Sequence, residues 1–268
     1  MPIKTSLSII GLCVLSFIGL ALYSNIPASE LASLSFYTAI ANPSVRIVAV
    51  AQGERKEQIA DNLATNFGCD ELQKDAFLGT PLALAPSSDN SSNLEGHYFP
   101  NTYLIDKNAT PADVTNIMIE KFQTATANIK KSKTTKIISP DTALKIASII
   151  QRESGGKSDM NLISGIIWNR LFAGMKLQMD ATLQYAKGNE TNWWPQVNPS
   201  DKKIDSPYNT YIYADLPPTP ISNPGLAAIT AAYNPAKTTC LFYLHDKNGV
   251  IHCSATYAGH LKNIQKYY

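Results

Sequence analysis

With 268 residues, the chain is long enough for one sizeable domain, a small second unit and an N-terminal segment. A hydrophobic content of 44% and a charged content of 16% exclude a disordered protein. The formal net charge of +2, without a dense run of Lys and Arg, gives no electrostatic basis for a nucleic-acid partner. A substrate in which charge matters little, such as a carbohydrate, fits this balance better than a polyanion does.

An uncharged apolar run from Ser6 to Tyr23 follows Lys4 near the start of the chain. A membrane-spanning helix needs about 20 mostly apolar residues, with a lower limit of about 17, and this run just reaches that length. The basic flank favours a cytoplasmic start, which would leave the rest of the chain outside the membrane. A cleaved signal peptide is the alternative, but no clear small-x-small cleavage site follows Leu22. We therefore expect an uncleaved transmembrane anchor over residues 1–24.

A linker and a small strand-helix unit are predicted next. Residues 25–44 contain two prolines and have the composition of a linker. Val45 to Val50 alternates like a half-buried strand, and a helix is predicted from about Lys56 to Asn66. We assign residues 45–92 to this small unit.

Residues 93–268 are predicted to form a mainly helical domain. Helices are expected from Pro111 to about Lys130, from Ser139-Pro140 to just before Gly155, and from about Asp159 to Ala173. Beyond Met179 the chain is expected to be rich in loops. A short helix and a C-terminal β-hairpin are predicted within it, at Pro224 to Tyr233, Leu241 to His245 and Val250 to Ala255. The fold class is therefore α+β.

The cysteines and histidines give weaker signals. Cys240 and Cys253 flank the predicted hairpin turn, so they can form a disulfide that leaves Cys69 free, or all three can be small core residues. The four histidines lack the spacing of metal ligands. The sequence also lacks a phosphate-binding loop and a dinucleotide fingerprint, so neither a metal nor a cofactor is expected.

A single carboxylate stands out in the second predicted helix. Ala143, Ile146, Ala147 and Ile150 form one apolar face, and Glu153 occupies the next position on it. The residue also falls in the last helical turn, where the helix dipole disfavours an anion. Burial and the dipole should both raise the pKa of Glu153. A protonated Glu near neutral pH is what glycosidic cleavage requires. Periodicity leaves open that Glu153 instead forms an ion pair or turns outward.

Several segments occur together in one order and resemble the MltG/YceG-like endolytic transglycosylases, over about residues 45 to 265. The catalytic-helix motif is Ala147 to Ser154, and the preceding motif is Glu95 to Tyr103. The remaining matching segments follow in the same order: Asn169 to Leu171, Gly174 to Gln178, Asp180 to Thr182, Ser206 to Tyr211, Leu216 to Ile221, and Asn234 to Lys237.

The resemblance implies the chemistry of Glu153. It would protonate the glycosidic oxygen between MurNAc and GlcNAc and then act as base on the C6 hydroxyl of the muramic acid, which attacks its own C1. The product would be a 1,6-anhydro end, with no water consumed. By the same resemblance, residues 93–268 would be the catalytic domain and residues 45–92 a LysM-like unit.

Substrate-binding roles are predicted for six residues. Asn169 and Gln178 are candidates for hydrogen bonds to the sugar, or alternatively for capping and loop bonding. Tyr208, Asn209 and Tyr211 would line a sugar groove, or form a packed turn. Asp180 is the sixth. Further candidates are Trp193 and Trp194, as a sugar platform or at the edge of the core.

The chain departs from the family in three places. It has one LysM-like unit instead of two, Ala181 stands where a proline is usual, and Gln151 stands where an acidic residue is expected. Two other functions remain open, and the missing LysM-like unit and Gln151 motivate the second of them. One is a glycoside hydrolase that pairs Glu153 with a second carboxylate, for which Asp180, Asp205 and Asp215 are candidates. The other is a non-catalytic scaffold that binds peptidoglycan.

The expected surroundings follow from the anchor and the resemblance. The partners would be peptidoglycan glycan strands, the cytoplasmic (inner) membrane through the N-terminal helix, and the peptidoglycan synthases. The catalytic domain would face the periplasm on a single-pass anchor.

Overall fold

The computed structural model describes residues 42–79, 93–133, 135–156 and 158–267. Within these ranges the chain forms eight α-helices, one 3-10 helix and two two-stranded sheets. In chain order the elements are β1 (Val45–Ala49), α1 (Lys56–Phe67), α2 (Glu71–Gly79), β2 (Thr102–Asp106), α3 (Pro111–Thr126), α4 (Pro140–Glu153), α5 (Met160–Phe172), α6 (Asp180–Lys187), the 3-10 helix (Pro199–Lys203), α7 (Leu226–Tyr233), β3 (Phe242–His245), β4 (Ile251–Ser254) and α8 (Tyr257–Tyr267).

The predicted α+β class and the C-terminal hairpin are confirmed. Strands β3 and β4 are antiparallel, with Phe242 opposite Ser254 and His245 opposite Ile251. The predicted anchor, Ser6 to Tyr23, lies outside the described residues. Within the part of the chain that the structure describes, no helix combines the length and apolar character that a bilayer span requires.

The chain divides into two compact units. Among the described residues, the first contains most of β1 and β2, which pair in a two-stranded sheet. Beyond the strands, the backbone N–H of Lys107 donates to the carbonyl of Ser44 at 2.8 Å. The second unit comprises residues 49–102 and 110–268 and contains all eight described helices and the hairpin. The boundaries of the LysM-like unit remain a prediction.

Helix α4 lies in the core of the second unit, where it packs against α5, α6 and α7. Its N-terminus is capped by Ser139, whose hydroxyl oxygen accepts the N–H of Thr142 at 3.0 Å, and Pro140 occupies the first turn. Ile146, Ile149 and Ile150 are fully buried. The predicted apolar face therefore forms the contact surface of this helix.

Three helices were not anticipated from the sequence: α2, α6 and α8. Helix α6 lies where the chain beyond Met179 is expected to be loop. Its eight residues give just over two turns, which is too short for a periodic apolar pattern to stand out. Packing against α4 stabilises it instead.

The segment that begins at Glu95 joins distant parts of the second unit. The fully buried Glu95 carboxylate accepts the backbone N–H of Lys56, the side-chain amide of Asn223 at 2.9 Å and the hydroxyl of Tyr185 at 3.2 Å. Gly96 has a φ of +90°, and a Cβ at this position would lie 2.9 Å from the ring of Pro220. Two of the motif segments recognised in the sequence therefore meet here in a structural contact.

We expect Glu95→Ala to lower the free energy of unfolding by about 3 kcal/mol or more. The substitution removes the acceptor of two buried donors, on Asn223 and Tyr185, and of the part-buried N–H of Lys56, and each buried donor without an acceptor costs about 1–3 kcal/mol. The midpoint of urea unfolding measures the change. The control is Glu120→Ala on the exposed side of α3, which should stay within about 0.5 kcal/mol of the parent. Equal midpoints for the two variants would contradict this role of Glu95.

Candidate active site

Glu153 is the last residue of α4, and the chain leaves the helix directly after it. Ser154 is extended, with φ −76° and ψ 136°, and its N–H donates to the carbonyl of Ile150 at 3.0 Å. Gly155 and Gly156 follow and are exposed. The Glu153 side chain is therefore held at the end of a rigid helix of the second unit.

Two donors from different elements hold the carboxylate of Glu153. Its Oε1 accepts the backbone N–H of Ala181, in the first turn of α6, at 2.9 Å. Its Oε2 accepts the hydroxyl of Tyr243, on β3, at 2.7 Å. The N–H groups of a first helical turn have no partner within their own helix, so Ala181 is free to donate outward. Each carboxylate oxygen thus has a defined partner.

Opposing influences act on the pKa of Glu153, and burial is the largest of them. Burial raises this pKa because it disfavours the charged form, and the nearby Asp180 carboxylate raises it further. The hydrogen bonds from Ala181 and Tyr243 lower it, as does the charge of His245. The net effect is a pKa above the usual value for a Glu. The group therefore retains its proton to a higher pH than an exposed Glu, as its position in the sequence suggested.

A cavity of about 470 Å³ opens beside Glu153. Gln178, Asp180 and Tyr211 line it together with Glu153. The Tyr211 hydroxyl donates to Asp180 Oδ1 at 2.5 Å, and the backbone N–H of Gln178 donates to the carbonyl of Thr210 at 3.0 Å. Gln178 has a φ of +53°, an uncommon conformation for a residue other than glycine. Four of the seven residues predicted for the site thus meet at one cavity.

The other three predicted site residues make hydrogen bonds within the protein and do not line this cavity. The side-chain amide of Asn169 donates to the carbonyls of Thr238 and Cys240, at 2.9 and 3.0 Å. Asn209 is fully buried, and its amide donates to the carbonyl of Ile204 at 2.8 Å. The hydroxyl of Tyr208 lies 2.8 Å from that of Thr219. Their contacts stabilise loops around the site, and their roles toward a substrate remain predictions.

The tryptophans and the alternative carboxylates occupy other places. The Arg152 guanidinium lies 3.7 Å from the ring centroid of Trp194, so it covers one face of that indole. Asp205 accepts the hydroxyl of Tyr213 at 2.6 Å. Of the three aspartates considered as a second carboxylate, Asp180 lines the cavity, whereas Asp205 and Asp215 are not among its described lining residues.

Sequence reasoning missed Tyr243. Several contacts hold the hairpin that carries it against the rest of the second unit. Arg170 Nε donates to the carbonyl of Leu241 at 2.6 Å. A disulfide joins Cys240 to Cys253 and leaves Cys69 as a free thiol. A crosslink that closes a loop of about 15 residues contributes about 3 kcal/mol in the chain-entropy description. The Asn169-Arg170 motif was the available signal, since both side chains bind the segment leading into β3.

A second side-chain pair lies between the end of α4 and β3. Asp159 Oδ2 accepts the N–H of Gly155 at 2.9 Å and lies 2.8 Å from His245 Nε2. The ring of His245 meets that of Tyr243 edge-on, with centroids 5.8 Å apart. This pair therefore links the loop after Glu153 to the strand that supplies its hydroxyl donor. Among the described residues, no group of three or more His, Cys, Asp and Glu side chains is arranged to hold a metal ion.

Comparison with known proteins gives relatives of one kind. A family model described as the YceG-like family matches residues 27–266. The chain is 35% identical over 175 residues to an endolytic murein transglycosylase of Bacillus subtilis (strain 168), covering 65% of this chain and 48% of the relative. It is 25% identical over 232 residues to a Streptococcus pneumoniae serotype 2 protein of the same name, covering 82% of this chain and 42% of that protein.

A solved structure agrees with these matches. The crystal structure of a YceG-like protein from Listeria monocytogenes has a TM-score of 0.70 and 27% identity to this chain, covering 81% of this chain and 75% of that one. The chain spans less than half the length of the two curated relatives described above. Because the family model matches most of its length, the chain belongs to the YceG-like family.

Proposed function

We propose that this chain is an endolytic transglycosylase of peptidoglycan that cleaves the bond between MurNAc and GlcNAc in nascent glycan strands. The observation that carries the proposal is the half-buried Glu153 at the cavity, with a raised pKa and one donor on each oxygen. The names of the two curated relatives support the same activity. Cleavage would end strand elongation and leave a 1,6-anhydro-MurNAc end.

The proposed reaction uses Glu153 twice. Protonated Glu153 donates its proton to the glycosidic oxygen as the bond from that oxygen to C1 of MurNAc breaks. The resulting carboxylate then takes the proton of the C6 hydroxyl as O6 bonds to C1. The nucleophile belongs to the same sugar, so its proximity is built into the substrate. Ala181 and Tyr243 would stabilise the carboxylate between the two steps and hold it in place.

A hydrolase is the second candidate, and the position of Asp180 at the same cavity favours it. A retaining hydrolase needs carboxylates about 5–5.5 Å apart, and an inverting one about 6.5–9.5 Å. Asp180 already accepts a hydrogen bond from the hydroxyl of Tyr211, so it is suited to orienting the Tyr211 side chain in the cavity wall. Gln178, Asp180 and Tyr211 are accordingly proposed as substrate-binding residues, with Asn169, Tyr208 and Asn209 supporting the loops that carry them.

The new chain ends distinguish the candidate functions. The purified protein is incubated with uncrosslinked glycan strands, and the products are identified by mass. Anhydro ends are the expected result, reducing ends would indicate a hydrolase, and intact strands a scaffold. Glu153→Gln should slow cleavage by about 10²–10⁴-fold, since general acid–base catalysis contributes that much. Glu120→Gln, the same change on an exposed helix face, is the matched control and should cleave like the parent.

The pH dependence tests the hydrogen bond from Ala181. Ala181→Pro removes the N–H in a first helical turn, where no intrahelical bond is lost. That hydrogen bond lowers the pKa of Glu153, so its loss should raise the pKa. A general acid is active while protonated, and the alkaline limb of kcat/KM should therefore move upward by about one pH unit.

Ala181→Gly keeps the N–H and is the control for this experiment, with the limb expected at its original position. A folded Ala181→Pro protein whose limb stays in place or moves to lower pH would contradict the assigned role of this hydrogen bond.

We also propose that the apolar run from Ser6 to Tyr23 anchors the protein in the inner membrane, with the catalytic domain in the periplasm beside the peptidoglycan synthases. Residues 45–92 are proposed as a LysM-like unit that contributes to glycan binding. The protein should stay in the membrane fraction after a carbonate wash, because the apolar run gains from burial in lipid. A variant that lacks residues 1–24 is the control and should be released. Release of the full chain into the supernatant would contradict the proposed membrane anchor.

A further inference from the structure

Two chemically different groups of residues line the cavity beside Glu153. Hydrogen-bonding and charged side chains, including Gln178 and Asp180, form one group. Aromatic and aliphatic side chains of β3 and α8 form the other: Phe242, Tyr257, His260 and Ile264. We call this second group the aromatic wall. The cavity therefore offers polar partners and an apolar surface to the same ligand.

The aromatic wall is more exposed than its composition predicts. Tyr257 is 60% exposed and Ile264 38% exposed, and no residue of α8 within the described chain is buried. Tyr257, His260 and Ile264 are spaced by three and four residues, so they share one face of α8. Folding alone gives no reason to hold apolar side chains open toward a cavity, because their burial would be favourable.

The rings of the aromatic wall are arranged around Phe242. The ring centroid of Phe242 lies 5.8 Å from that of Tyr257 and 5.7 Å from that of His260. Burial and the charge of Arg170 lower the pKa of His260, which favours the neutral imidazole. The three rings thus give a continuous aromatic surface whose histidine tends to be uncharged.

A pyranose ring has the matching distribution of polarity. Its faces present C–H bonds, whereas its edges carry the hydroxyl and acetamido groups. An exposed aromatic ring can cover such a face, while amide and carboxylate groups take the hydrogen bonds of the edges. A cavity with both kinds of lining suits a sugar better than it suits a purely apolar ligand or an extended polyanion.

We propose that Phe242, Tyr257 and His260 form a sugar-stacking subsite for a pyranose ring of the glycan strand, adjacent to the bond held at Glu153. The proposal rests on the proposed function, because the stacked ring belongs to the strand that Glu153 cuts. The ring held there does not itself react. Its contact supplies binding energy away from the reacting bond and positions that bond against Glu153.

The test measures binding without cleavage. In a Glu153→Gln background, the probe is a peptide-free tetrasaccharide of alternating GlcNAc and MurNAc, and its affinity is measured by calorimetry. Tyr257→Ala should weaken binding by about 5- to 20-fold, whereas Tyr257→Phe, which keeps the ring, should stay within about twofold of the parent. Leu261→Ala is the matched control. Leu261 is 42% exposed on the same helix but is not part of the cavity lining, so its loss should leave the affinity unchanged.

A second measurement detects the contact between the rings and the probe directly, rather than through the affinity. Saturation transferred by NMR from the aromatic protons of the Glu153→Gln protein should reach the ring C–H protons of the probe, and Tyr257→Ala should reduce the transfer. Unchanged affinity in Tyr257→Ala, or no binding of the probe by the Glu153→Gln protein, would overturn the subsite.

The outcomes separate the subsite from the proposed reaction. If the parent protein cleaves strands to anhydro ends but Tyr257→Ala does not change the affinity for the probe, the transglycosylase activity is supported and the subsite is contradicted. Affinity that depends on Tyr257, in a protein that cleaves nothing, would support the sugar subsite and contradict the proposed reaction.

Discussion

The site depends on the attachment of one half-buried carboxylate to two donors that come from different parts of the chain. Glu153 ends α4, Ala181 lies in the first turn of α6, and Tyr243 lies on β3. Desolvation favours the neutral acid, while the two donors favour the anion. In the proposed reaction Glu153 gives up a proton and then takes one back, so both the protonated and the charged form must be accessible. The surrounding structure therefore has to maintain the balance between burial, which raises the pKa of Glu153, and the two donors, which lower it.

Several polar contacts near the site hold the strand that carries Tyr243. Arg170 and Asn169, both on α5, bind carbonyls in the segment that leads to β3, and the disulfide closes the hairpin behind it. The pair of Asp159 and His245 joins the loop after Glu153 to the same strand. These contacts fix the distance from Tyr243 to Glu153, which matters because a hydrogen bond weakens steeply with poor geometry.

Two of the departures from the family pattern acquire a physical meaning. Ala181 has a backbone N–H where a proline would have none, and it uses this N–H to bind Glu153. The Gln151 side-chain oxygen accepts the N–H of Gly225, at the N-terminus of α7. A carboxylate at position 151 could accept the same N–H, so Gln151 preserves a structural contact. Ala181, by contrast, adds a hydrogen-bond donor to Glu153, the proposed catalytic residue.

The sequence by itself determined the α4 helix, its apolar face and the unusual place of Glu153, because helical periodicity and capping are local properties. It also indicated the hairpin and, through the order of its motifs, the family. The tertiary structure alone decided which side chains meet Glu153. Tyr243 lies 90 residues away along the chain, and its hydroxyl bonds to Glu153 only after long-range packing brings β3 to α4. Asn169, Tyr208 and Asn209 lie close to cavity-lining residues in the sequence, yet their side chains form hydrogen bonds within the protein and do not line the cavity. The sequence does not determine this, because the direction of a side chain depends on the packed backbone.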